Sequence, residues 1–529
     1  MANLTKVYLL NVPIENDYKN TIHFDTKSEQ YEYFINKRIS TSMTDCSYQR
    51  KDGIIRVDAQ FDEVIKCNYV MYQNTAYSDK WYYAFVTDIQ YVSDGRTDLT
   101  IETDVMQTWY FDVTVQDSFV EREHVDDDTI GKHTVPEMLE TGEYVCNTHR
   151  RDTNLDNLDI VMGATVDVSG DNISGTLHNG IYSGVGYCRY DSEDLAMIND
   201  TITVYAGNGK SDAITCLFMA PKFLTGVTGT EPDDVFWLPK TTEPKTYDLE
   251  YDKDYYMDGY ANSIKNNKLF TYPYNYLLCS NMSGGSAIYL YEHFKPYVDG
   301  STTKNKIKFR VTGALTPGCS IRLTPLNYKN TTENDDEGLN LGKYPVCNWT
   351  SDVYTNWLTQ NSVNLGISMV SGVAQIAGGV AMTVGSGGLG AVVGGGSIAG
   401  GVSTIANTLA QVHTQSFTPP QSQGNLNCGD VVTSMGKNSF HFYNMSIKKE
   451  YAQIIDEFFT MFGYKVNRVK KPNRKHRSRF WYTKTIDVNI DGAIPQKDLQ
   501  KIRECYDRGI TFWRKGTTIN DYTSANTIV

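Results

Sequence analysis

The run Trp81–Val86, WYYAFV, is apolar or aromatic at every position and therefore has no solvated face. A strand with this pattern is buried on both sides, either in the centre of a sheet or between two layers. An earlier stretch, residues 55–61 with the sequence IRVDAQF, alternates apolar and polar side chains, which is typical of a strand with one wet face. Aromatic residues form 12% of the chain and favour pleated, half-buried surfaces. These patterns predict a mainly β fold with a few short helices, a β-rich α+β class.

Three helices are predicted near the two ends of the chain. Thr26 and Glu29 have the spacing of a capping box and precede an apolar helical face. Near the other end, Lys448–Phe462 places its aliphatic and aromatic residues on one stripe. A last helix, Lys497–Arg508, stops at Gly509, a residue type that readily ends helices.

Strand patterns continue through the middle of the chain and near its C-terminus. Between Arg150 and Lys343, short runs such as Ile307–Val311 are separated by clusters of Asn, Asp, Gly and Pro. A further strand is predicted at Phe480–Ile490. The chain shows no internal repeat with a period of roughly 20 to 50 residues, which disfavours solenoids and propellers. A second β-rich region is therefore expected in the middle.

The segment Val353–Gly429 contains no Lys, Arg, Asp or Glu, although 21% of the chain is charged. Two arms, Ser362–Val384 and Leu389–Gln411, are joined by a glycine-rich turn. As a helix each arm is about 34 Å long, which exceeds a hydrocarbon layer of about 30 Å. Abundant glycine opposes a stable helix, so we predict a segment that enters lipid conditionally. A glycine-rich linker is the alternative interpretation.

The aliphatic side chains of the two arms are the candidate membrane-active positions. They are Val363, Leu365, Ile367, Val370, Val373, Ile376, Val380, Val384, Leu389, Val392, Val393, Ile398, Val402, Ile405 and Leu409. Those of the first arm together contribute about −2.4 to −4.8 kcal/mol at the bilayer centre, which is too little for a permanent anchor. Low pH is one candidate trigger that would let the segment leave its stored position and enter lipid. His413 is the only histidine in the segment.

Charge and cysteine content exclude several classes of protein. The formal net charge of −13 repels nucleic acid from most of the surface and argues against a DNA-binding domain. The ten cysteines are scattered without a C-x-x-C pair, which favours buried free thiols over a disulfide scaffold or a zinc site. Residues 1–20 have no secretory leader pattern, so synthesis in a host cytoplasm is expected.

No catalytic, cofactor or metal site is predicted. Gly209–Ser211 has the form of the end of a phosphate-binding loop, but the motif requires glycine at the position of Val204. His124 and His133 flank the acidic run Asp126–Asp128, whose spacing matches no zinc signature and is typical of a solvated turn. We therefore expect no enzymatic activity, although two carboxylates that meet only in space would escape a search for motifs.

A basic segment stands out against the acidic background, because Phe458–Ile486 contains nine Lys or Arg residues and no acid. Two interpretations remain open. Clustered cations contact phosphates and release counterions from nucleic acid, whereas a solvated loop or a docking patch for an acidic neighbour subunit needs no nucleic acid. The candidate residues are Lys465, Arg468, Lys470, Lys471, Arg474, Lys475, Arg477 and Arg479.

Several runs of residues resemble one family of proteins. They are Asn11–Pro13, Asn16–Thr21, Tyr69–Asn74, Lys80–Thr87, Asp104–Trp109, Phe119–Val125, Phe462–Asn473 and Asp507–Trp513. In this order, around an uncharged glycine-rich segment, they resemble the distal tail knob protein of φ29-like short-tailed bacteriophages of Gram-positive hosts. The resemblance covers residues 1–125 and 435–515, and residues 150–345 match little.

The resemblance implies a virion protein at the tip of the phage tail, in which tail-tube-like β domains assemble into a hexameric tube. It implies four partners: further copies of the chain in a homohexamer, an upstream tail tube or collar protein, the host membrane during entry, and genomic DNA passing without sequence specificity. In the family, long hydrophobic loops plug the lumen and later form a conduit through the membrane. Val353–Gly429 matches those loops by composition and place.

Four regions follow from these patterns together with the resemblance. Residues 1–150 are predicted as an N-terminal tail-tube-like β domain and 151–350 as a distal β-rich domain. Residues 351–430 form the predicted plug, and 431–529 a C-terminal part that packs with the N-terminal domain. Two other functions remain open: a tail-associated enzyme that degrades the cell wall, and a receptor-binding tail protein with its binding surface in residues 150–345.

Overall fold

The structure of the 529-residue chain is a computed structural model. The residues that it describes are 5–39, 43–49, 52–74, 80–167, 176–178, 181–191, 195–208, 210, 213–225, 236–237, 241–253, 257, 259–260, 263–348, 433, 435–474 and 477–529. The elements and contacts given below belong to these ranges.

Strands predominate among the described residues. Those nearest the N-terminus are β1 (Thr5–Leu10), β2 (Asn20–Ile22), β3 (Met43–Gln49), β4 (Ile54–Val57), β5 (Tyr69–Asn74), β6 (Trp81–Ser93), β7 (Arg96–Thr103), β8 (Val113–Val115) and β9 (Ser118–Glu123). The middle of the chain contains β10 (Tyr144–Arg151), β11 (Leu158–Ala164), β12 (Thr176–His178), β13 (Ile181–Ser183), β14 (Gly186–Asp191), β15 (Ile214–Pro221), β16 (Phe236–Trp237), β17 (Thr241–Thr242), β18 (Lys245–Asp252), β19 (Asn275–Ser280), β20 (Ser286–Tyr289), β21 (Tyr297–Asp299), β22 (Thr302–Lys304), β23 (Lys306–Ala314), β24 (Ser320–Tyr328), β25 (Thr331–Glu333), β26 (Leu339–Asn340), β27 (Val346–Asn348) and β28 (His441–Ile447). The last are β29 (Tyr464–Lys470), β30 (Phe480–Ile486), β31 (Ile490–Gly492) and β32 (Ile510–Trp513). The helices are α1 (Lys27–Ile35), α2 (Phe61–Val64), α3 (Val105–Thr108), α4 (Leu195–Gly207), α5 (Lys222–Thr225), α6 (Lys449–Phe462) and α7 (Gln496–Arg508).

The chain divides into two compact units, each built from separate stretches of sequence. Unit 1 comprises Met1–Gly142, Gly259–Phe270 and Lys449–Val529, and unit 2 comprises Glu143–Asp258 and Thr271–Lys448. The N-terminal and C-terminal parts of the chain therefore belong to the same unit. The short stretch Gly259–Phe270 also belongs to unit 1, although the residues before and after it in the sequence belong to unit 2.

Unit 1 contains a closed barrel in which the strands follow the order β1-β3-β4-β7-β6-β5. Side chains alternate across its wall. Val7 and Leu9 of β1 belong to the core inside the barrel, whereas Tyr8 and Leu10 belong to a second core outside it. β6 pairs with both β5 and β7, and Ala84 points to the first core while Tyr83 and Phe85 point to the second. The prediction that Trp81–Val86 is a strand in the centre of a sheet or between two layers is confirmed: β6 is paired on both sides, and Tyr83, Ala84 and Phe85 are buried.

A five-stranded sheet with the order β2-β32-β30-β9-β29 covers the second core of unit 1. The N-terminal β2 pairs in parallel with the C-terminal β32, from Asn20 opposite Thr511 to Ile22 opposite Trp513. Helices α1 and α7 contribute buried side chains to the same core, among them Phe34, whose ring stacks on Tyr69 at 5.3 Å. Apolar burial between these layers is the main stabilising contribution to the unit.

Unit 2 is built from several antiparallel sheets around one large core. β11 pairs with β14 and β15 and is buried at all seven positions, so both faces of the sheet are covered there. The strand predicted at Ile307–Val311 lies within β23, which alternates between buried and half-buried residues. The prediction of a second β-rich region in the middle of the chain is therefore confirmed.

The predicted helices and strands are confirmed at some positions and have wrong bounds at others. Thr26 caps α1 by accepting a hydrogen bond from the Glu29 backbone nitrogen at 3.2 Å, as the capping-box spacing predicts. The strand predicted across residues 55–61 is too long, because β4 ends at Val57 and Phe61 begins α2. The strand predicted to end at Ile490 is interrupted, since β30 ends at Ile486 and β31 starts at Ile490. Helix α4 was not predicted, because its β-branched residues resemble a strand pattern.

Candidate functional site

The uncharged segment is inserted between two strands of unit 2. Its fifteen candidate membrane-active residues and His413 lie outside the described residues. On the N-terminal side the described chain reaches Asn348 at the end of β27, an edge strand that pairs with β15. On the C-terminal side it leads into β28, which lies between β10 and β19. Both flanks of the segment are therefore built into the sheets of one unit.

Hydrogen bonds fix the C-terminal flank just before β28. The carbonyl oxygen of Gly436 accepts a hydrogen bond from Arg151 at 3.0 Å, and the Ser439 hydroxyl donates to the carbonyl oxygen of Asp152 at 2.5 Å. The Asp152 backbone nitrogen donates to the carbonyl oxygen of Phe440 at 3.0 Å. The Phe440 side chain is fully buried. Residues 436–440 are thus bound to the end of β10 by side-chain and backbone groups.

Three cations of the basic segment form contacts inside unit 1. Lys470 pairs with the buried carboxylate of Glu123 at 2.5 Å. Arg479 pairs with Asp521 at 2.5 Å, and Arg477 donates at 3.1 Å to the backbone carbonyl oxygen of Val125. Burial lowers the pKa of Arg477 and raises that of Glu123, where the bond from Lys470 opposes the rise. These side chains hold β9 and the C-terminal residues in place.

The other members of the basic segment differ in exposure. Lys465 donates its backbone N–H to Glu137 at 2.9 Å, and Arg474 lies 3.4 Å from the Tyr506 hydroxyl. Arg468, Lys471 and Arg474 are exposed, and Lys475 lies outside the described residues. Fewer cations of the basic segment are therefore accessible to a partner molecule than the sequence alone suggests.

An apolar row crosses the exposed face of the unit 1 sheet close to these cations. Val469 of β29, Phe119 of β9 and Ile486 of β30 lie opposite one another in register. Their exposed fractions are 69%, 36% and 53%. The ion pair between Glu121 and Lys484, at 2.8 Å, lies beside the row. Exposed apolar patches of this kind mark surfaces that contact other molecules.

The histidines near the acidic run have structural contacts. His124 is fully buried; its Nδ1 accepts a hydrogen bond from the Tyr482 backbone nitrogen at 2.8 Å, and its Nε2 lies 3.0 Å from the Thr460 carbonyl oxygen. Burial lowers the pKa of His124 to about 3, so the ring is neutral. His133 donates to the carbonyl oxygen of Asp127 at 2.6 Å. Across the described ranges, no cluster of three or more His, Cys, Asp or Glu is placed to bind a metal ion.

A buried charge cluster links the three stretches of unit 1 and was missed in the sequence. The Glu137 carboxylate pairs with Arg122 and with Lys268, and its side chain is 1% exposed. Arg122 also donates to the carbonyl oxygen of Gly463 at 2.7 Å. Close by, the buried Asp456 of α6 accepts hydrogen bonds from residues 265 and 266 at about 3.0 Å. Because the partners are far apart in sequence, no local pattern identifies these clusters.

The helices of the described residues include none that is long and apolar enough to cross a bilayer. The membrane-active prediction rests on the uncharged segment alone.

Two models of known families match this sequence. The C-terminal domain of the Bacillus phage phi29 tail knob protein gp9 matches residues 239–527, which is more than half of the chain. The N-terminus of the caudoviral major tail protein matches residues 3–114, the stretch that forms the barrel.

Individual relatives match along nearly the whole chain. The tail knob protein gp9 of Bacillus phage phi29 is 26% identical and that of Bacillus phage B103 is 27% identical. In both cases the match covers 98% of this chain and 97% of the relative. The fold is similar to that of the bacteriophage C1 tail knob protein gp12, with a TM-score of 0.63 and 16% identity over 99% of this chain and 100% of that one.

Proposed function

The chain belongs to the phi29 gp9 tail knob family and is a structural component of a short-tailed phage virion, and we propose that its uncharged segment plugs the tail lumen and opens a path through the host membrane. Its relatives are structural tail proteins, and we assign the chain no catalytic activity. In this proposal the functional residues are the aliphatic side chains of the uncharged segment, from Val363 to Leu409, because they contact the lipid.

The observation that carries this proposal is the insertion of Val353–Gly429 between β27 and β28. A segment without charge is compatible with lipid, and both of its flanks belong to sheets of unit 2. A hairpin formed by this segment reaches on the order of 120 Å when extended at about 3.3 Å per residue. The segment is therefore long enough to cross a bilayer while its flanks remain in the sheets.

Assembly into a homohexamer is the second part of the proposal. The exposed row of Phe119, Val469 and Ile486 supports it, because a subunit contact would remove this apolar surface from water. The net charge of −13 supports passage of DNA through such a tube, since a negative wall does not retain a polyanion. The exposed Arg468 and Lys471 are candidates for contact with a neighbouring tail protein.

Dye release from liposomes tests the membrane step with the full-length protein. We expect release from anionic vesicles by the wild type, and strongly reduced release by the double variant Val373→Asp/Ile376→Asp, because charge is costly in the bilayer centre. The control Ile288→Asp/Val298→Asp adds the same charge at exposed positions of unit 2. Equal release by both double variants would refute the membrane role of the segment.

Light scattering tests the assembly step independently. We expect the wild type at six times the chain mass of 59.6 kDa, and a smaller species for Val469→Asp. A monomeric wild type would contradict the hexamer without bearing on the liposome result.

A further inference from the structure

Two histidines of neighbouring strands face each other at the C-terminal flank of the uncharged segment. His149 Nε2 of β10 and His441 Nδ1 of β28 are 2.9 Å apart, and the ring planes differ by only 6°. The ring of Tyr443 stacks on His149 with centroids 4.7 Å apart. The strand register places His149 opposite Tyr443 and Arg151 opposite His441, so these side chains share one face of the sheet.

The hydrogen bonds around the pair determine where the protons lie. His441 Nε2 is 3.1 Å from the carbonyl oxygen of Lys437, which only accepts hydrogen bonds, so Nε2 of His441 carries a hydrogen. In the neutral ring Nδ1 is then an acceptor, and His149 Nε2–H donates to it. When both rings are protonated, two N–H groups point at each other across 2.9 Å. The contact changes from a hydrogen bond to a repulsion.

Neighbouring charges make protonation more costly. The pKa of His441 is lowered to about 4, chiefly by burial and also by His149, Arg151 and Lys437, while the Lys437 carbonyl oxygen opposes the change. Burial, Arg151 and Lys437 also lower the pKa of His149. Asp156 pairs with Arg151 at 2.7 Å, and burial raises the pKa of Asp156 to about 6.

Two further titratable groups lie around the pair, and burial raises the pKa of each. Burial raises the pKa of the Tyr443 phenol, with contributions from the Cys146 and Cys279 thiols. Burial also raises the pKa of Asp152, which accepts a hydrogen bond from Tyr247. On the other side of β28, β19 places Ser280 opposite His441.

We propose that His149 and His441 form a proton-sensitive clamp that holds residues 436–441 against β10 when both rings are neutral and releases them when both are protonated. A histidine that is held neutral in the fold stabilises it above its unfolded pKa of 6.5. That contribution is lost as the pH falls from 6.5 towards 4. The clamp is a property of the described flank and does not require the membrane step.

Hydrogen exchange of the full-length protein tests the clamp. With pKa values of 6.5 in the open state and about 4 in the clamped state for His441, opening is favoured about 20-fold more at pH 5 than at pH 7. We therefore expect the protection of residues 435–441 to fall about 20-fold over this range, after correction for the intrinsic pH dependence of exchange. Strand β11, which belongs to unit 2 but lies in a different sheet from β10 and β28, serves as the internal reference.

The variant His149→Gln separates the clamp from general acid sensitivity. Its amide can donate to neutral His441 or accept from protonated His441, so the contribution of the contact between the two rings is lost and the fall in protection at residues 435–441 is expected to be clearly smaller than in the wild type. His293→Gln, a change elsewhere in unit 2, is the matched control and should titrate like the wild type. His441→Asn is the second variant; it removes the titrating ring of His441 and should abolish the dependence. Wild-type protection that is unchanged at pH 5, or a pH dependence in His149→Gln that is as large as in the wild type, would overturn the proposal.

Discussion

Replacing Glu137 with Gln is expected to destabilise unit 1 severely. The carboxylate pairs with Arg122 and Lys268, and the three side chains are 1%, 11% and 2% exposed. The substitution leaves two cations without a counter-charge in a buried site. Removing one partner from a buried ion pair costs about 3 to 5 kcal/mol. Burial already lowers the pKa of Lys268, and Glu137 opposes that change, so part of the cost is deprotonation of Lys268 in the variant.

The position of the Glu137 cluster determines which regions of unit 1 lose stability in the Glu137→Gln variant. Glu137 accepts a hydrogen bond from the Lys465 backbone nitrogen at 2.9 Å, and Lys268 donates to the carbonyl oxygen of Val135 at 2.8 Å. The cluster thus holds β29 and the stretch 259–270 in unit 1. Urea unfolding followed by pulsed hydrogen exchange should show a lower midpoint for peptides from these two regions, while peptides from unit 2 change little.

Glu121→Gln is the matched control, because Glu121 lies next to Arg122 on β9 and pairs with Lys484 at 2.8 Å at a half-exposed site. That pair should contribute less than about 1 kcal/mol. A triple replacement of Glu137, Arg122 and Lys268 by apolar residues should recover much of the loss, since it leaves no buried charge unpaired. A loss below about 1 kcal/mol for Glu137→Gln would refute the reasoning.

Three further changes probe unit 1. Gly463→Ala should cost more than about 1 kcal/mol in urea unfolding, because Gly463 has a φ of +66° and a Cβ would lie 2.1 Å from the Glu123 carbonyl oxygen. Since the fold holds His124 neutral, with a pKa of about 3, the contribution of His124 to the stability of unit 1 should fall by about 2 kcal/mol between pH 7 and pH 5, and the urea midpoint of His124→Gln should decrease less than that of the wild type over this range. Tyr69→Phe removes the 2.8 Å hydrogen bond to the buried Asp104 carboxylate and should cost about 1.5 to 3 kcal/mol by the same measurement; a loss near zero would show that the carboxylate finds another donor.

Sequence patterns located the elements whose burial is local. The two-sided apolar run Trp81–Val86 identified a central strand, and α6 and α7 followed from an apolar stripe and a terminal glycine. Boundaries failed where a tertiary contact overrides the pattern. Phe61 continues the alternation that predicts a strand, but it begins α2.

The candidate sites were predictable to different degrees. The uncharged segment is visible from composition alone, since the absence of charge needs no knowledge of the fold. The basic segment was visible too, but its sequence does not reveal that Lys470, Arg477 and Arg479 are occupied by intramolecular contacts. The pairing of His149 with His441 joins residues on either side of the uncharged segment and has no local signature.

The amino-acid sequence by itself determined the β-rich class, the terminal helices and the place of the uncharged segment, because periodicity and charge report how each stretch meets water. Only the tertiary structure decided which strands close the barrel, that residues 259–270 join the two ends of the chain in unit 1, and which charges are buried together. These features depend on contacts between residues that are tens to hundreds of positions apart. Their free energy arises when the chain closes on itself, so no window of sequence contains it.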